Sequence, residues 1–214
     1  MKIKCVILGA GGHSKVLLDC LETNKSIEII NLLDADVKLK GKNVSKYKVL
    51  GGDEMLPQVK KMKVTHFIIG VGSVGNSTIR QKLFNLGIEQ GLQPLSVIHP
   101  SAVISPSAII GVGTVVFPMA VVNAGAIIGR NVIINTGAVV EHDCKVFDHV
   151  HLSPKSCLAS TVIVGKGSHI GAGAVVKQLV KIGENAVVGM GAVVLQDVYS
   201  NQTVVGNPAR ELKK

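Results

Sequence analysis

VVNAGA IIGRNV IINTGA VVEHDC KV, residues Val121–Val146, is the stretch whose pattern decides the fold. Each group of six carries an aliphatic residue at its second position and a small residue at its sixth. The frame extends well beyond this stretch. Taking every sixth residue from Ile98 to Val194 gives Ile98, Ile104, Ile110, Val116 and so on, and all seventeen positions are aliphatic. The companion frame, two residues earlier in each group, runs from Ala102 through Ala108, Thr114 and Ala120 to Val198, and every member is small. Two inward positions per six residues suit a short strand and a tight turn, repeated as a solenoid. Three such sides close a coil of 18 residues. With stacked strands ~4.8 Å apart, roughly five and a half coils make a prism of about 26 Å.

The position between the two inward ones points outward, and it differs from side to side. One side reads Val103, Val121, Val139, Cys157, Val175 and Val193. A second reads Ile109, Ile127, Lys145, Ile163, Lys181 and Tyr199, and the third Val115, Ile133, His151, His169 and Val187. An unbroken apolar stripe on the outside marks an interface, so the first side is expected to pack against other subunits, in a homotrimer as is usual in proteins with this kind of repeat.

Upstream the period changes. Residues 1–95 alternate short apolar runs with helical patterns: a strand at Lys4–Leu8, a turn Gly9-Ala10-Gly11-Gly12, and a helix His13–Leu21 with Val16, Leu17 and Cys20 on one face. A second strand runs Ile27–Leu33, and a short helix Glu54–Met62 is capped by Asp53. A third strand spans Phe67–Val71, a helix Asn76–Gln90 closes at Gly91, and Leu95–Ile98 forms a last strand. Strands alternating with helices predict a small Rossmann-like parallel sheet over residues 1–95, followed by the solenoid and a tail over 96–214.

Composition narrows the function. Aromatic residues are 3% of the 214, with no Trp, so the core is built from Val, Ile, Leu and Ala. The net charge is +9, and eight lysines fall between Lys38 and Lys63. With so few aromatics to stack bases and no recognition motif, anionic small molecules are better partners for this charge than nucleic acid. No apolar run approaches the ~18–20 residues of a membrane span, and the first apolar stretch is too short for a signal peptide. The four cysteines, Cys5, Cys20, Cys144 and Cys157, are far apart and form no metal-binding or disulfide pattern, which predicts reduced thiols and a cytoplasmic protein.

Three groups of residues carry candidate chemistry. Gly9-x-Gly11-Gly12-His13, between a strand and a helix, lets backbone N–H groups approach a phosphate at the helix N-terminus. Ser14 occupies the third glycine position of the dinucleotide fingerprint, so the motif is a phosphate turn of another type, or simply a tight strand-to-helix turn. Asp34, at the end of the second strand, is placed to hold a ribose hydroxyl. Gly70-x-Gly72 adds a second close backbone approach. In the solenoid, Glu141-His142-Asp143 interrupts corners that elsewhere carry mostly Gly, Ala, Asn or Pro. A histidine titrating near ~6.5 can accept a proton at neutral pH, and Asp143 beside it can fix its tautomer. The competing reading is a solvated polar turn. Ser160 lies one coil on, where its N–H can face the same site. His151 and His169, also 18 apart, stack on one face; a zinc site, hydrogen bonding or cofactor packing all fit His151, and His169 also fits a plain surface position. No cysteine–histidine pairing or nucleophile elbow appears, which favours direct transfer over a covalent enzyme intermediate.

Gly9-Ala10-Gly11-Gly12-His13-Ser14-Lys15, Asn135-Thr136-Gly137-Ala138-Val139-Val140-Glu141-His142-Asp143-Cys144 and Val205-Gly206-Asn207-Pro208-Ala209-Arg210 together resemble the sugar O/N-acyltransferase family, over essentially the whole chain. The resemblance implies a left-handed parallel β-helix and acetyl-CoA as co-substrate, with no metal. It implies N-acetylation of the 4-amino group of a UDP-amino sugar, giving a UDP-N,N′-diacetylbacillosamine-type product. His142 falls on the family's base. The acid after it is commonly Glu there, and Asp143 is one methylene shorter. By the same resemblance Gly11, Gly12, His13, Asp34, Ala35 and Gly72 hold the nucleotide sugar. His151, Ala172 and Met190 hold acetyl-CoA between subunits, and the Ser160 N–H meets the thioester oxygen. O-acetylation of sialic acid or another sugar, zinc hydration on the same prism, and a non-catalytic nucleotide-sugar-binding protein are the alternatives.

Overall fold

The computed structural model describes residues 2–22 and 24–212. Met1, Lys213 and Lys214, at the outer ends of the expected domains, and Thr23 lie outside the described residues. The chain forms two compact units. One runs to Gly72 and resumes at Ile79–Val97; the other holds Ser73–Thr78 and the described residues from Ile98 on. The sequence pattern placed the change at residue 96 and had no signal for the six residues Ser73–Thr78.

In the first unit, β1 (Ile3–Leu8), β2 (Ile27–Leu33), β5 (His66–Ile69) and β6 (Gln93–Pro94) make a four-stranded parallel sheet in the order β2-β1-β5-β6. A small antiparallel hairpin, β3 (Asn43–Val44) and β4 (Tyr47–Lys48), escaped the sequence pattern because two-residue strands carry no period. Helix α1 (Gly12–Glu22) buries Ser14, Leu17, Leu18, Cys20 and Leu21. Val16 lies outside that stripe and is exposed, which corrects the expected face. The expected helix at Glu54–Met62 is a 3₁₀ turn, Asp53–Met55, running into α2 (Leu56–Lys61). Asp53 caps neither: the 3₁₀ turn starts from Gly52 and no side chain bonds its first N–H groups. Helix α3 (Thr78–Glu89) ends as expected at Gly91, whose φ is +75° and whose N–H donates to Ile88 O. The expected strand Leu95–Ile98 is split: Leu95 N–H still donates to Phe67 O beside the edge strand β6, whereas Val97–Ile98 joins the eight-stranded sheet of the solenoid. Phe67 and Phe84 meet edge to face, 5.7 Å between centroids, and pack with Val6, Leu8, Leu33, Leu56 and Val59 in the core.

The second unit is the solenoid, a left-handed parallel β-helix. Two-residue strands recur every six residues and pair in register with residues 18 away: Val121 with Val139, Val139 with Cys157, Ile133 with His151. They build three parallel sheets of eight, six and five strands, with one antiparallel pair at the C-terminal end. Both inward frames fill a single core, in which Ala120, Val122, Ala138, Val140, Cys144, Leu152, Leu158 and Val164 are all inaccessible. The first coil is less covered, and Ile98 is half exposed. Corners are zipped from coil to coil: Asp143 N–H donates to Ala124 O and Thr161 N–H to His142 O. The donors at these corners adopt left-handed backbone (φ +60° at Asp143), a conformation that Asn, Asp and Gly adopt most readily.

Candidate functional site

At the carboxyl ends of β1, β2 and β5 the first unit opens a cleft of about 500 Å³. Ligands of parallel α/β sheets bind at this place, where strand order reverses. All six residues expected to hold a nucleotide sugar, Gly11, Gly12, His13, Asp34, Ala35 and Gly72, line it. The backbone explains two of the neighbouring glycines internally. Gly9 has φ +109°, and a Cβ there would stand 2.5 Å from Val71 Cγ2; a Cβ on Gly70 would stand 2.4 Å from Gly9 O. Gly11, Gly12 and Gly72 have no such reason, since nothing lies within 4 Å of where their Cβ atoms would be. Gly11 and Gly12 leave bare backbone facing open space at the start of α1, a cradle suited to phosphate, and Gly72 adds open backbone after β5. Asp34 shapes the rim, its Oδ2 accepting from Ala10 N–H at 2.7 Å and its Oδ1 from Asp36 N–H at 2.9 Å.

Arg80, which nothing in the sequence singled out, holds the other wall. It is fully buried on α3 and donates from Nη1 to Val71 O at 2.8 Å and to Ile69 O at 3.3 Å. Burial pulls its pKa down to about 9, still well above neutrality. It reads in sequence as one more exposed helix cation, and only the fold reveals its place.

In the solenoid, His142 and Asp143 stand on the corner that follows the six-stranded sheet. His142 Nδ1 lies 2.8 Å from Asp143 Oδ2, and both side chains are more than half exposed. The carboxylate accepts a hydrogen bond from Nδ1–H, so Nε2 is left as the acceptor. The Ser160 N–H, one coil above, has no acceptor among the described residues. Neither cysteine close by is a nucleophile. Cys144 points into the core, donates to Ala159 O, and is pushed up to about 11 by burial; burial also raises Cys157.

Ala172 and Met190 are exposed on a different corner, the one after the eight-stranded sheet, and are coupled by Gly191 N–H donating to Ala172 O. A single chain therefore brings His142 to Ser160, and Ala172 to Met190, but not one pair to the other.

His151 and His169 are both buried, which removes the surface reading of His169. Residues 73–78 lie over them as a strap. His151 Nδ1–H donates to Ser73 O at 2.8 Å and its Nε2 accepts from Asn135 Nδ2 at 3.3 Å. His169 Nδ1 accepts from Gly75 N–H at 3.1 Å, and its Nε2–H donates to Ser153 Oγ at 2.7 Å. Each ring is thus fixed as one neutral tautomer, and burial lowers the pKa of His169. With all four ring nitrogens engaged by protein groups, the pair does not form a zinc site. Among the described residues no group of three His, Cys, Asp or Glu side chains is placed to hold a metal ion.

The apolar stripe of the six-stranded sheet stays at least partly exposed along its length, from Val103 to Val193, whereas Val115 and Ile133 on the eight-stranded sheet are fully buried. Among the described residues no helix is long and apolar enough to cross a membrane.

A β-helix of hexapeptide repeats with a histidine–carboxylate pair on its corner, joined to a small parallel-sheet unit with a bare glycine cradle, defines a class: the hexapeptide-repeat acyltransferases. Comparison with known proteins agrees. Residues 4–86 match the PglD N-terminal domain family. The chain is 33% identical to GDP-perosamine N-acetyltransferase of Escherichia coli O157:H7 over 218 residues, 97% of this chain and 96% of that one. It is 36% identical to UDP-N-acetylbacillosamine N-acetyltransferase of Bacillus subtilis (strain 168) over 110 residues, 51% of this chain and 49% of that one. Among solved structures it superposes with a TM-score of 0.92 on a histidine-to-asparagine variant of perosamine N-acetyltransferase from Caulobacter crescentus, in complex with CoA and GDP-perosamine, at 34% identity over 99% of this chain and 97% of that one. The chain belongs to the sugar O/N-acyltransferase family and is an acyltransferase.

Proposed function

We propose that the protein transfers an acetyl group from acetyl-CoA to the 4-amino group of a nucleotide-linked sugar. The observation that carries this reading is the His142–Asp143 pair at 2.8 Å, exposed on a corner with the unengaged Ser160 N–H one coil away. The nucleotide sugar occupies the cleft, its diphosphate against Gly11 and Gly12 and its ribose at Asp34 and Ala35, with His13 and Gly72 on the walls. The pantetheine of acetyl-CoA runs along Ala172 and Met190. His151, buried under the strap, serves that site by holding Ser73 in place.

His142 Nε2 takes a proton from the sugar amine as the nitrogen attacks the thioester carbonyl carbon. Asp143 stabilises the imidazolium, and the Ser160 N–H stabilises the oxyanion that forms. Collapse of the tetrahedral intermediate breaks the C–S bond, and the proton on His142 passes to the departing CoA sulfur. No protein nucleophile is needed, in keeping with the buried state of Cys144.

Because the two corners are separate in one chain, the complete site requires a homotrimer packed along the apolar stripe, which would set the His142 corner of one subunit beside the Met190 corner of the next. The four unpaired cysteines support a cytoplasmic protein. The resemblance in sequence points to a UDP-linked 4-amino sugar, whereas a relative matched over 97% of this chain is named for a GDP-linked one, so UDP- and GDP-linked 4-amino sugars are the two candidate acceptors.

The test is release of free CoA from acetyl-CoA by the purified protein with UDP-4-amino-4,6-dideoxy-N-acetylglucosamine, GDP-perosamine and free sialic acid as separate acceptors. Release with a nucleotide-linked amino sugar is expected. Release with sialic acid alone would make the protein an O-acetyltransferase, and binding without any release would make it a nucleotide-sugar-binding protein.

A further inference from the structure

Three carboxylates stand near the cleft of the first unit, and they are not equivalent. Both oxygens of Asp34 are engaged by backbone N–H groups, those of Ala10 and Asp36. Glu54 Oε1 accepts from Gly52 N–H at 3.0 Å. The carboxylate of Asp53, a residue only partly exposed, makes no hydrogen bond and no ion pair among the described residues, although the Asp53 backbone carbonyl accepts from Leu56 N–H. Burial and the charges of Glu54 and Asp34 raise its pKa, while Lys82 works the other way. A partly buried carboxylate with no donor is costly in the free protein and invites one from a ligand. With Asp34 and Ala35, Asp53 lines both the 500 Å³ cleft and an adjoining cavity of about 280 Å³, whose other walls include Val37, Lys40, Gly52 and Glu54.

We infer that Asp53 reads the base of the bound nucleotide and selects guanine over uracil. This rests on the reading of the cleft as a nucleotide-sugar site. The order of groups along a nucleoside diphosphate sets the assignment: diphosphate at Gly11 and Gly12, ribose at Asp34 and Ala35, whose loop is tied back to Ala10, and base beyond them in the adjoining cavity. The charged side chains lining that cavity are Asp34, Asp53, Glu54 and Lys40; Asp34 has both oxygens and Glu54 one oxygen engaged by backbone N–H groups, so Asp53 is the carboxylate with both oxygens open, and Lys40 supplies an ammonium. Guanine alone among the common bases places two donors side by side, N1–H and the 2-amino group, and so can meet both oxygens of one carboxylate; its O6 is an acceptor for the lysine. Uracil offers a single N3–H between two carbonyl oxygens, each of which would face a carboxylate oxygen. Adenine and cytosine pair a donor with an acceptor on that edge.

Calorimetric titration of the full chain with GDP, inosine diphosphate and UDP tests this, because inosine diphosphate differs from GDP only in lacking the 2-amino group. GDP is expected to bind about tenfold tighter than inosine diphosphate, the discrimination of one good bidentate contact, and tighter still than UDP. Asp53→Asn, followed by thermal melting to confirm that it folds, should bring GDP down to the affinity of inosine diphosphate and leave UDP no weaker. Equal binding of GDP and inosine diphosphate by the unaltered protein, or UDP binding as tightly as GDP, would overturn the assignment without any variant. So would a loss shared equally by all three nucleotides in Asp53→Asn, which would place the carboxylate on the ribose. Binding of none of the three would instead remove the nucleotide reading of the cleft itself.

Discussion

The two units of this chain hide their chemistry in opposite ways. The solenoid is so regular that its function shows as a fault in the pattern: most corners are built around small or turn-forming residues, whereas Glu141-His142-Asp143 sets a histidine between two carboxylates. The parallel-sheet unit has no such background. Its function shows as missing side chains, in glycines whose bareness the surrounding protein does not require. Gly70 has to be glycine because Gly9 O lies against it, whereas Gly11 and Gly12 face empty space. In a repeat, the informative residue is the one that breaks the rule; in an irregular fold, it is the one with no internal reason.

The sharpest way to break this contrast is in the solenoid core. Leu152 is inaccessible and its strand neighbour His151 faces outward under the strap, while Lys145, one strand earlier, is exposed on the outside. Leu152→Ala should cost about 2–5 kcal/mol in urea unfolding, and Lys145→Ala within about 0.5 kcal/mol. Comparable losses at the two positions would mean that the inward frame does not carry the stability.

Next in size is the pair on the corner. Asp143→Asn keeps the shape and removes the charge that stabilises the imidazolium, so kcat should fall by about 10² with KM for the sugar nearly unchanged. A change confined to KM would show Asp143 to be a binding residue. In the other unit, Gly11→Ala should leave the melting temperature intact and raise KM for the nucleotide sugar by about tenfold, one methyl group in the space of a phosphate contact. Gly70→Ala should instead fail to give a folded first unit. If Gly11→Ala melts early as well, its bareness has a structural reason after all.

The smallest effect concerns the strap. His169 is neutral when folded and its pKa lies below the ordinary 6.5. The unfolded chain therefore binds more protons in that window, and stability falls as pH drops below about 6.5. Above it, the contribution is fully present. A proton on Nδ1 would also oppose the Gly75 N–H directly. Amide exchange of Gly75 should therefore become disproportionately faster, relative to the solenoid core, as pH falls from 7 to 5. In His169→Asn, whose Oδ1 can accept the same bond without titrating, that extra acceleration should disappear.

These contrasts follow what the sequence makes legible. The solenoid, its three sides and its odd corner could be read directly, because a period of six leaves the inward positions no freedom. The cleft could be read in part, through the glycines and Asp34, since a strand-to-helix turn has a local signature. Three features had none. Ser73–Thr78 carries no periodicity, and its role comes from a long-range meeting with two histidines. Arg80 looks like a solvent-facing helix residue until the carbonyls of Ile69 and Val71 are found beside it. Asp53 sits where a helix cap is expected, and only the 3₁₀ turn leaves its carboxylate free. The stripe at Val16 failed for a simpler reason: the helix buries Ser14, a small polar residue, in the place an apolar count would give to Val16.

The central claim is that proton transfer occurs at the odd corner of the solenoid. The most direct measurement is acetyl-CoA turnover by His142→Ala with a nucleotide-linked 4-amino sugar, with circular dichroism verifying the fold. Turnover reduced by about 10²–10⁴ in a folded protein that still binds the nucleotide in its cleft is the predicted result. Turnover equal to that of the unaltered protein would contradict it.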